Sequence, residues 1–238
     1  MENINFSKPM SLVDQIKHDL SMAIAKGEIL PGQQLKETEL QKCFGVSRAP
    51  IREALRLLQG DGLIIVDNYK KRYVRRITKK NLEDIFPVMA CLEGLAAGLA
   101  VSIISNEQIA ELKKVNIRME NAFREGQYDL CAQLNFKFHS IFIKVVDNNA
   151  LKRTIRSLTK GSIWLWMTTT YYDKNELIPI SIAEHIRIIE AFLQKNSKKA
   201  ECEVRDHINK VFKRSLKYSI FDNEGDYVLS LKKKEGEL

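Results

Sequence analysis

Between Ser11 and Lys26 the apolar residues Leu12, Ile16, Leu20 and Ile24 recur at every fourth position, which places one stripe along a helix that Gly27 ends. Beyond the turn at Leu30-Pro31-Gly32, a shorter helical stretch runs from Glu37 to Phe44, and Gly45 closes it in the position that favours a left-handed backbone. Ser47 then has the chemistry of an N-cap, and Pro50 falls in the first turn, where its missing N–H costs no intrahelical bond. The spacing predicts a third helix from about Arg48 to Gln59, with Ile51, Leu55 and Leu58 on one face and Arg48, Arg52 and Arg56 on another. Gly60-Asp61-Gly62 stops it, and residues 63–67 and 73–77 read as two β-rich strands around the polar turn Asn68 to Arg72.

From Leu82 to about Ile220 the periodicity is helical throughout, in segments near 82–103, 106–125, 128–147, 149–170, 178–195 and 198–220. The third carries the stripe Leu134, Phe138, Ile141, Phe142 and Val145, and the last carries Val204, Ile208, Val211, Phe212 and Leu216. Stripes of this kind need a partner surface, which predicts an all-helical antiparallel bundle. The polar stretch Thr78 to Asn81 marks the boundary, with Thr78 or Asn81 capping the next helix. The expected chain is therefore mainly α. A winged helix-turn-helix domain fills 1–78, a helical effector-binding and dimerisation domain fills 79–222, and 223–238 is a flexible tail holding Gly225, Lys232-Lys233-Lys234 and Gly236.

The length of 238 residues accommodates two domains, and 45% hydrophobic with 29% charged residues excludes a wholly disordered chain. No apolar run approaches the roughly 18–20 residues that span a bilayer. The first twenty residues hold no secretory h-region, so the expected compartment is the cytoplasm, with no membrane partner. Cys43, Cys91, Cys131 and Cys202 form no Cys-x-x-Cys pair and read as reduced thiols.

Charge sharpens this. Residues 1–80 contain 15 Lys and Arg against 9 Asp and Glu, while residues 81–238 contain 23 against 21, so most of the net +8 sits in the first third. A compact basic segment attracts polyanions. In a helix-turn-helix the second helix enters the major groove of double-stranded DNA. Arg48 and Arg52 have the fork geometry to grip guanine, and Ser47 with the free N–H groups at the helix start suits a phosphate. Lys70, Lys71 and Arg72 at the hairpin tip would meet backbone or minor groove. On an isolated helix the arginines would read as a solvated face balanced by Glu53; the hairpin and the basic bias reverse that reading.

Residues 10–77 resemble the winged-helix domain of GntR-type bacterial transcription regulators. The stretch Gly27-Glu28-Ile29-Leu30-Pro31-Gly32-x-x-Leu35, the stretch from Gly45-Val46-Ser47-Arg48 to Ala54-Leu55, then Leu58 and Asp61-Gly62-Leu63-Ile64 carry the resemblance. It implies that Arg48, Arg52 and a residue opening the preceding helix contact DNA. That last residue is Thr38 here, where arginine is frequent, and the wing glycine usual in the family has no counterpart in 68–72.

In the second domain His139, His185 and His207 fall on three different helices. Three imidazoles suit Zn²⁺ or a neighbouring first-row metal, and Asn135, one turn before His139, offers an amide oxygen as a fourth ligand. Two alternatives stand beside this: structural histidines, or a metal-dependent enzyme with Glu184 as base, although no HExxH motif is present. Trp164, Trp166 and the run Thr168 to Tyr172 are further candidates for pocket walls.

Residues 82–220 resemble the FCD-type ligand domain of the FadR-like branch of the same regulators, on Asn135 to His139, Asn148-Asn149-x-Leu151, Glu184-His185 and His207. The resemblance implies an acid and three histidines around a metal, with a small carboxylate effector completing its coordination. Asn135 replaces the acid, and Met89 stands where an arginine four residues before Glu93 would pair with the effector. The expected function is a ligand-responsive repressor, not an enzyme, that binds a palindromic operator as a homodimer.

Overall fold

The computed structural model describes residues 10–25, 27–159, 175–221, 225, 227 and 228. Its contacts divide the chain into two compact units, Met1–Arg76 and Ile77–Leu238.

The first unit contains α1 (Leu12–Ala25), α2 (Glu37–Phe44), α3 (Arg48–Gly60), β1 (Ile64–Val66) and β2 (Arg72–Val74). The fourfold stripe of α1 buries Ile16, Leu20 and Ile24, and the facing stripe of α3 buries Ile51, Leu55 and Leu58. Gly45 takes φ 65° and returns its N–H to the Gln41 carbonyl, so the chain reverses between α2 and α3 within a short turn. Ser47 has the extended backbone of a cap residue, but contrary to expectation its side chain makes no cap bond. β1 and β2 pair antiparallel with Ile64 opposite Val74. Residues 32–35 run beside β2, with Gly32 N–H on the Val74 carbonyl at 2.9 Å and Leu35 N–H on the Arg72 carbonyl at 2.8 Å. That tether fixes the start of α2 against the strand carrying Arg72.

The wing turn closes without glycine. Asp67 Oδ1 accepts from the N–H groups of Tyr69 and Lys71 at 2.9 and 2.8 Å, and Lys70 adopts φ 59°. A left-handed backbone costs a non-glycine residue about 1–2 kcal/mol, which the Asp67 bonds offset.

The second unit is a helical bundle of α4 (Lys79–Ala100), α5 (Asn106–Arg124), α6 (Tyr128–Val145), α7 (Asn149–Leu158), α8 (Ile178–Leu193) and α9 (Ser197–Tyr218). The polar stretch expected as a boundary begins α4, because the Thr78 hydroxyl accepts from Asn81 N–H at 3.0 Å. Side-chain caps also open α5 at Ser105, α7 at Asn148 and α9 at Asn196. Phe86, Phe138, Phe142 and Phe192 fill the core. α4 packs most extensively on α9. Gly94 permits their close approach, since a Cβ there would lie 3.0 Å from the Glu201 carbonyl oxygen.

Two expectations shift. The fourth predicted helix ends at Leu158 rather than 170, and Trp164, Trp166 and Thr168 to Tyr172 lie outside the described residues. Within the expected flexible tail, β4 (Tyr227–Val228) pairs antiparallel with β3 (Ile220–Phe221), and the Gly225 carbonyl accepts from Lys79 N–H at 2.9 Å. Among the described residues no helix is long and apolar enough to cross a membrane.

Candidate functional site

On the first unit, Thr38 near the start of α2 and Ser47 just before α3 are both exposed. The Arg48 and Arg52 side chains are 67% and 61% exposed, yet both lean on one acid. Glu37 accepts from Arg48 Nε at 2.5 Å and from Arg72 Nη1 at 2.7 Å, with Arg52 Nε at 3.6 Å. Burial would raise the Glu37 carboxyl, but the bonds from Arg48 and Arg72 prevail and hold it below the ordinary carboxylate value. Arg56 instead pairs with Glu53 at 2.6 Å, so the balanced, solvated reading applies to that arginine alone. Lys70 and Lys71 are exposed at the wing turn. Arg72 is not at the tip: it opens β2, half-buried, with its guanidinium on Glu37. Sequence reasoning missed Glu37, whose arginine pairings reach 11 and 35 residues along the chain.

In the second unit α6, α8 and α9 bring His139, His185 and His207 together, with one ring nitrogen from each within 4.8 Å of the others. All three are buried. Each Nδ1 is engaged. His139 Nδ1 donates to Glu93 at 2.8 Å, and His207 Nδ1 donates to Glu184 at 2.8 Å. His185 Nδ1 meets Asn116 Oδ1 at 3.0 Å, and Asn116 Nδ2 donates to the Ile182 carbonyl at 3.1 Å. That second bond fixes the amide so that its oxygen faces the ring and Nδ1 carries the proton. Three Nε2 lone pairs remain.

Glu184 accepts from Arg214 Nη1 and Nη2, the two terminal guanidinium nitrogens, at 2.8 and 2.7 Å. Burial would raise its carboxyl, but the bonds from His207 and Arg214 outweigh burial and hold it at about 2. Burial pushes His185 well below the usual imidazole value, helped by its two histidine neighbours. His207 is also pushed down by burial, against the pull of Glu184. Both rings are therefore neutral at pH 7, the state in which imidazole binds metal. Phe138 stacks on His185 with centroids 3.9 Å apart and fixes its plane.

His185 Nε2 and Asn135 Oδ1 are buried without a hydrogen-bond partner. Buried polar atoms are ordinarily satisfied, so two orphaned acceptors beside two further imidazoles form a donor set that fits a borderline divalent cation. Asn135, Met89, Glu93, His139 and His207 line a chamber of ~40 Å³. Room for a water needs about 10–15 Å³, so the chamber has space for an ion and one small ligating group beside it. A larger cavity of ~260 Å³ adjoins it, sharing Glu93, Phe136, His139 and Thr159 as walls. Asn116 was missed in the sequence reading, though its signal was present: a polar residue on the buried face of α5 between Leu112 and Met119.

Residues 12–74 match the family described as bacterial regulatory proteins, gntR family, and residues 84–210 match the FCD domain. The chain is 31% identical over 210 residues to the uncharacterized HTH-type transcriptional regulator YdhC of Bacillus subtilis (strain 168), covering 88% of this chain and 93% of that one. It is 25% identical to the HTH-type transcriptional repressor RspR of Escherichia coli (strain K12), covering 87% and 90%. Among solved structures, E. coli McbR/YncC shares the fold with a TM-score of 0.71, over 88% of this chain and 99% of that one, at 22% identity.

Proposed function

This chain belongs to the GntR family of bacterial regulatory proteins and carries an FCD domain, and from that membership we propose a cytoplasmic, ligand-responsive repressor that grips a palindromic operator as a homodimer. Its family makes it a DNA-binding transcription regulator and not an enzyme. The repressor RspR among its relatives supports repression.

On the DNA side, α3 presents Arg48 and Arg52 to the major groove, with Thr38 and Ser47 on phosphate and Lys70 and Lys71 on the flanking backbone. Arg72 acts through Glu37, which it shares with Arg48. One recognition helix reads few base pairs, so a two-fold pair of chains on a palindrome doubles the readout. The exposed residues Val88, Cys91, Leu95 and Leu99 follow one face of α4 at helical spacing and suit the dimer contact.

On the effector side, His139, His185 and His207 would hold a divalent ion such as Zn²⁺, with Asn135 Oδ1 as a neutral fourth ligand. Such an ion supplies a Lewis-acid anchor for the carboxylate of a small organic acid. Glu93 and Glu184 orient two of the imidazoles; Glu184 is balanced by Arg214, so Glu93 alone of the two supplies negative charge behind a ring and partly offsets the missing ligand acid. The observation that carries this reading is the pair of orphaned buried acceptors, His185 Nε2 and Asn135 Oδ1, beside the other two imidazoles.

Competition with a chromophoric chelator tests it. The wild-type protein takes up one Zn²⁺ per chain, His185→Ala loses that uptake, and Asn135→Asp binds more tightly by supplying the ligand charge. Absence of Zn²⁺ uptake by the wild-type protein would return the histidines to a structural role.

A further inference from the structure

The larger cavity beside the histidines is walled mainly by one face of each of two helices. α6 contributes Phe136, His139, Ser140, Ile143 and Lys144, α7 contributes Lys152, Ile155 and Arg156, and Thr159 just after α7 and Glu93 of α4 complete the lining. His139 thus lies toward one end of the α6 wall and Lys144 at the other, about 7–8 Å apart along the helix axis at 1.5 Å per residue. At ~260 Å³ the cavity is just below the small end of ligand sites, about 300–1,000 Å³, which suits a metabolite.

The charges are segregated. Among the described residues no Lys or Arg lines the ~40 Å³ chamber, whereas Lys144, Lys152 and Arg156 all line the larger cavity. Among the described residues none of these three pairs with an acid, while many other cations of the bundle do, as Lys137 does with Glu111 and Arg205 with Glu201. Lys152 and Arg156 stand one turn apart on a helix with no acidic residue, and like charges at that spacing oppose helix formation. Among the described residues the only acid facing the cavity is Glu93, and it is engaged with His139.

A divalent ion at the histidines brings two positive charges to a chamber where Glu184 is already balanced by Arg214 and Glu93 supplies one negative charge. One carboxylate of a ligand completes that balance. A second anionic group then has a place only at the cationic end of the larger cavity. We infer that the α6–α7 cavity is the distal half of the effector site and selects a small dicarboxylate over a monocarboxylate, one carboxylate at the histidine chamber and the other among Lys144, Lys152 and Arg156. This rests on the proposal that the chamber holds an ion and an acid.

The test uses the full-length, Zn²⁺-loaded protein, with glutarate and valerate, a dianion and a monoanion of the same carbon count, titrated by calorimetry. Glutarate should bind about tenfold more tightly or better, as a charge-assisted hydrogen bond warrants. In Lys152→Met/Arg156→Met, which keeps the apolar stems, the preference should vanish while chelator competition gives unchanged Zn²⁺ affinity. Arg153→Met removes a cation from the same helix that does not line the cavity and should keep the preference. Equal binding of the two acids by the Zn²⁺-loaded wild type, or an equal loss of preference in Arg153→Met, overturns the subsite and leaves the metal-anchored acid standing. Failure of Zn²⁺-loaded protein to bind glutarate overturns it too. Failure to take up Zn²⁺ at all removes the proposed effector site and this inference together.

Discussion

Glu37 holds together the arginines proposed to meet DNA. Its carboxylate anchors Arg48 and Arg72 and draws Arg52 toward the same point, so these guanidinium groups lose less orientational freedom on meeting a base. The same charge repels phosphate. Glu37→Gln should therefore raise affinity for random duplex by a few-fold, since one exposed charge interaction is worth up to about 1 kcal/mol, and lower the ratio of operator to random binding. Fluorescence anisotropy on both duplexes reads this, and an unchanged ratio would make Glu37 a bystander. Arg48→Ala or Arg52→Ala should each cost about 1–3 kcal/mol in operator binding if the contact is bidentate to a base. A gel-shift titration at wild-type affinity would remove that role. Among the histidines the working sign is set by burial. His185 and His207 titrate below the ordinary value near 6.5, so below that pH the unfolded chain binds more protons and stability falls. Glu184, held at about 2, contributes stability that is fully present above its ordinary value of 4.5 and is lost only as pH falls toward 2. The metal-free protein should accordingly melt at progressively lower temperature from pH 7.5 to pH 5.5, and a flat profile across that window would contradict buried neutral histidines. The histidines themselves were readable from helical faces. Their orienting partners were not, because Glu93, Asn116 and Glu184 lie 46, 69 and 23 residues from the rings they hold.

At the level of helices and turns, local chemistry was a good guide wherever the stopping signal was local. α2 runs from Glu37 to Phe44 as its periodicity and Gly45 predicted, because the left-handed residue ends it without tertiary help. Replacing Gly45 tests that directly. A Cβ there meets nothing within 4 Å, so Gly45→Ala costs only the backbone strain of φ 65°, partly offset by reduced freedom in the unfolded chain. A net loss of about 1 kcal/mol should appear in chemical unfolding, and no loss would mean the turn relaxes. Ser47 has cap composition and extended backbone, yet its hydroxyl does not close on the helix, an outcome that residue preference alone does not decide. The tail hairpin was also unreadable: strands of two residues carry no periodicity, and the contact between Gly225 and Lys79 joins distant parts of the chain. The wing shows the opposite case. The missing glycine looked like a departure from the family, but Lys70 takes the left-handed conformation with Asp67 bonding the turn from below.

The proposed regulator is a dimer in which acid binding is linked to DNA binding. Leu95 lies within the exposed apolar face of α4, so Leu95→Lys should convert the protein to monomers in light scattering and weaken operator binding together. A dimer that survives the change would place the contact elsewhere. Family-level function was available from the two motif sets of the sequence, since the residues proposed to touch DNA and metal are among those that carry the family resemblance. The effector was not, because cavity walls come from α4, α6 and α7 and are assembled only by packing. In this proposal an acid held at the histidine centre controls DNA affinity. Its most direct test is the Kd of the Zn²⁺-loaded protein for an operator selected from random duplexes, measured with and without saturating glutarate. Glutarate should shift that Kd by about 5–150-fold, the span of typical couplings of about 1–3 kcal/mol, and the shift should disappear in His185→Ala. Identical operator affinity with and without glutarate bound would contradict it.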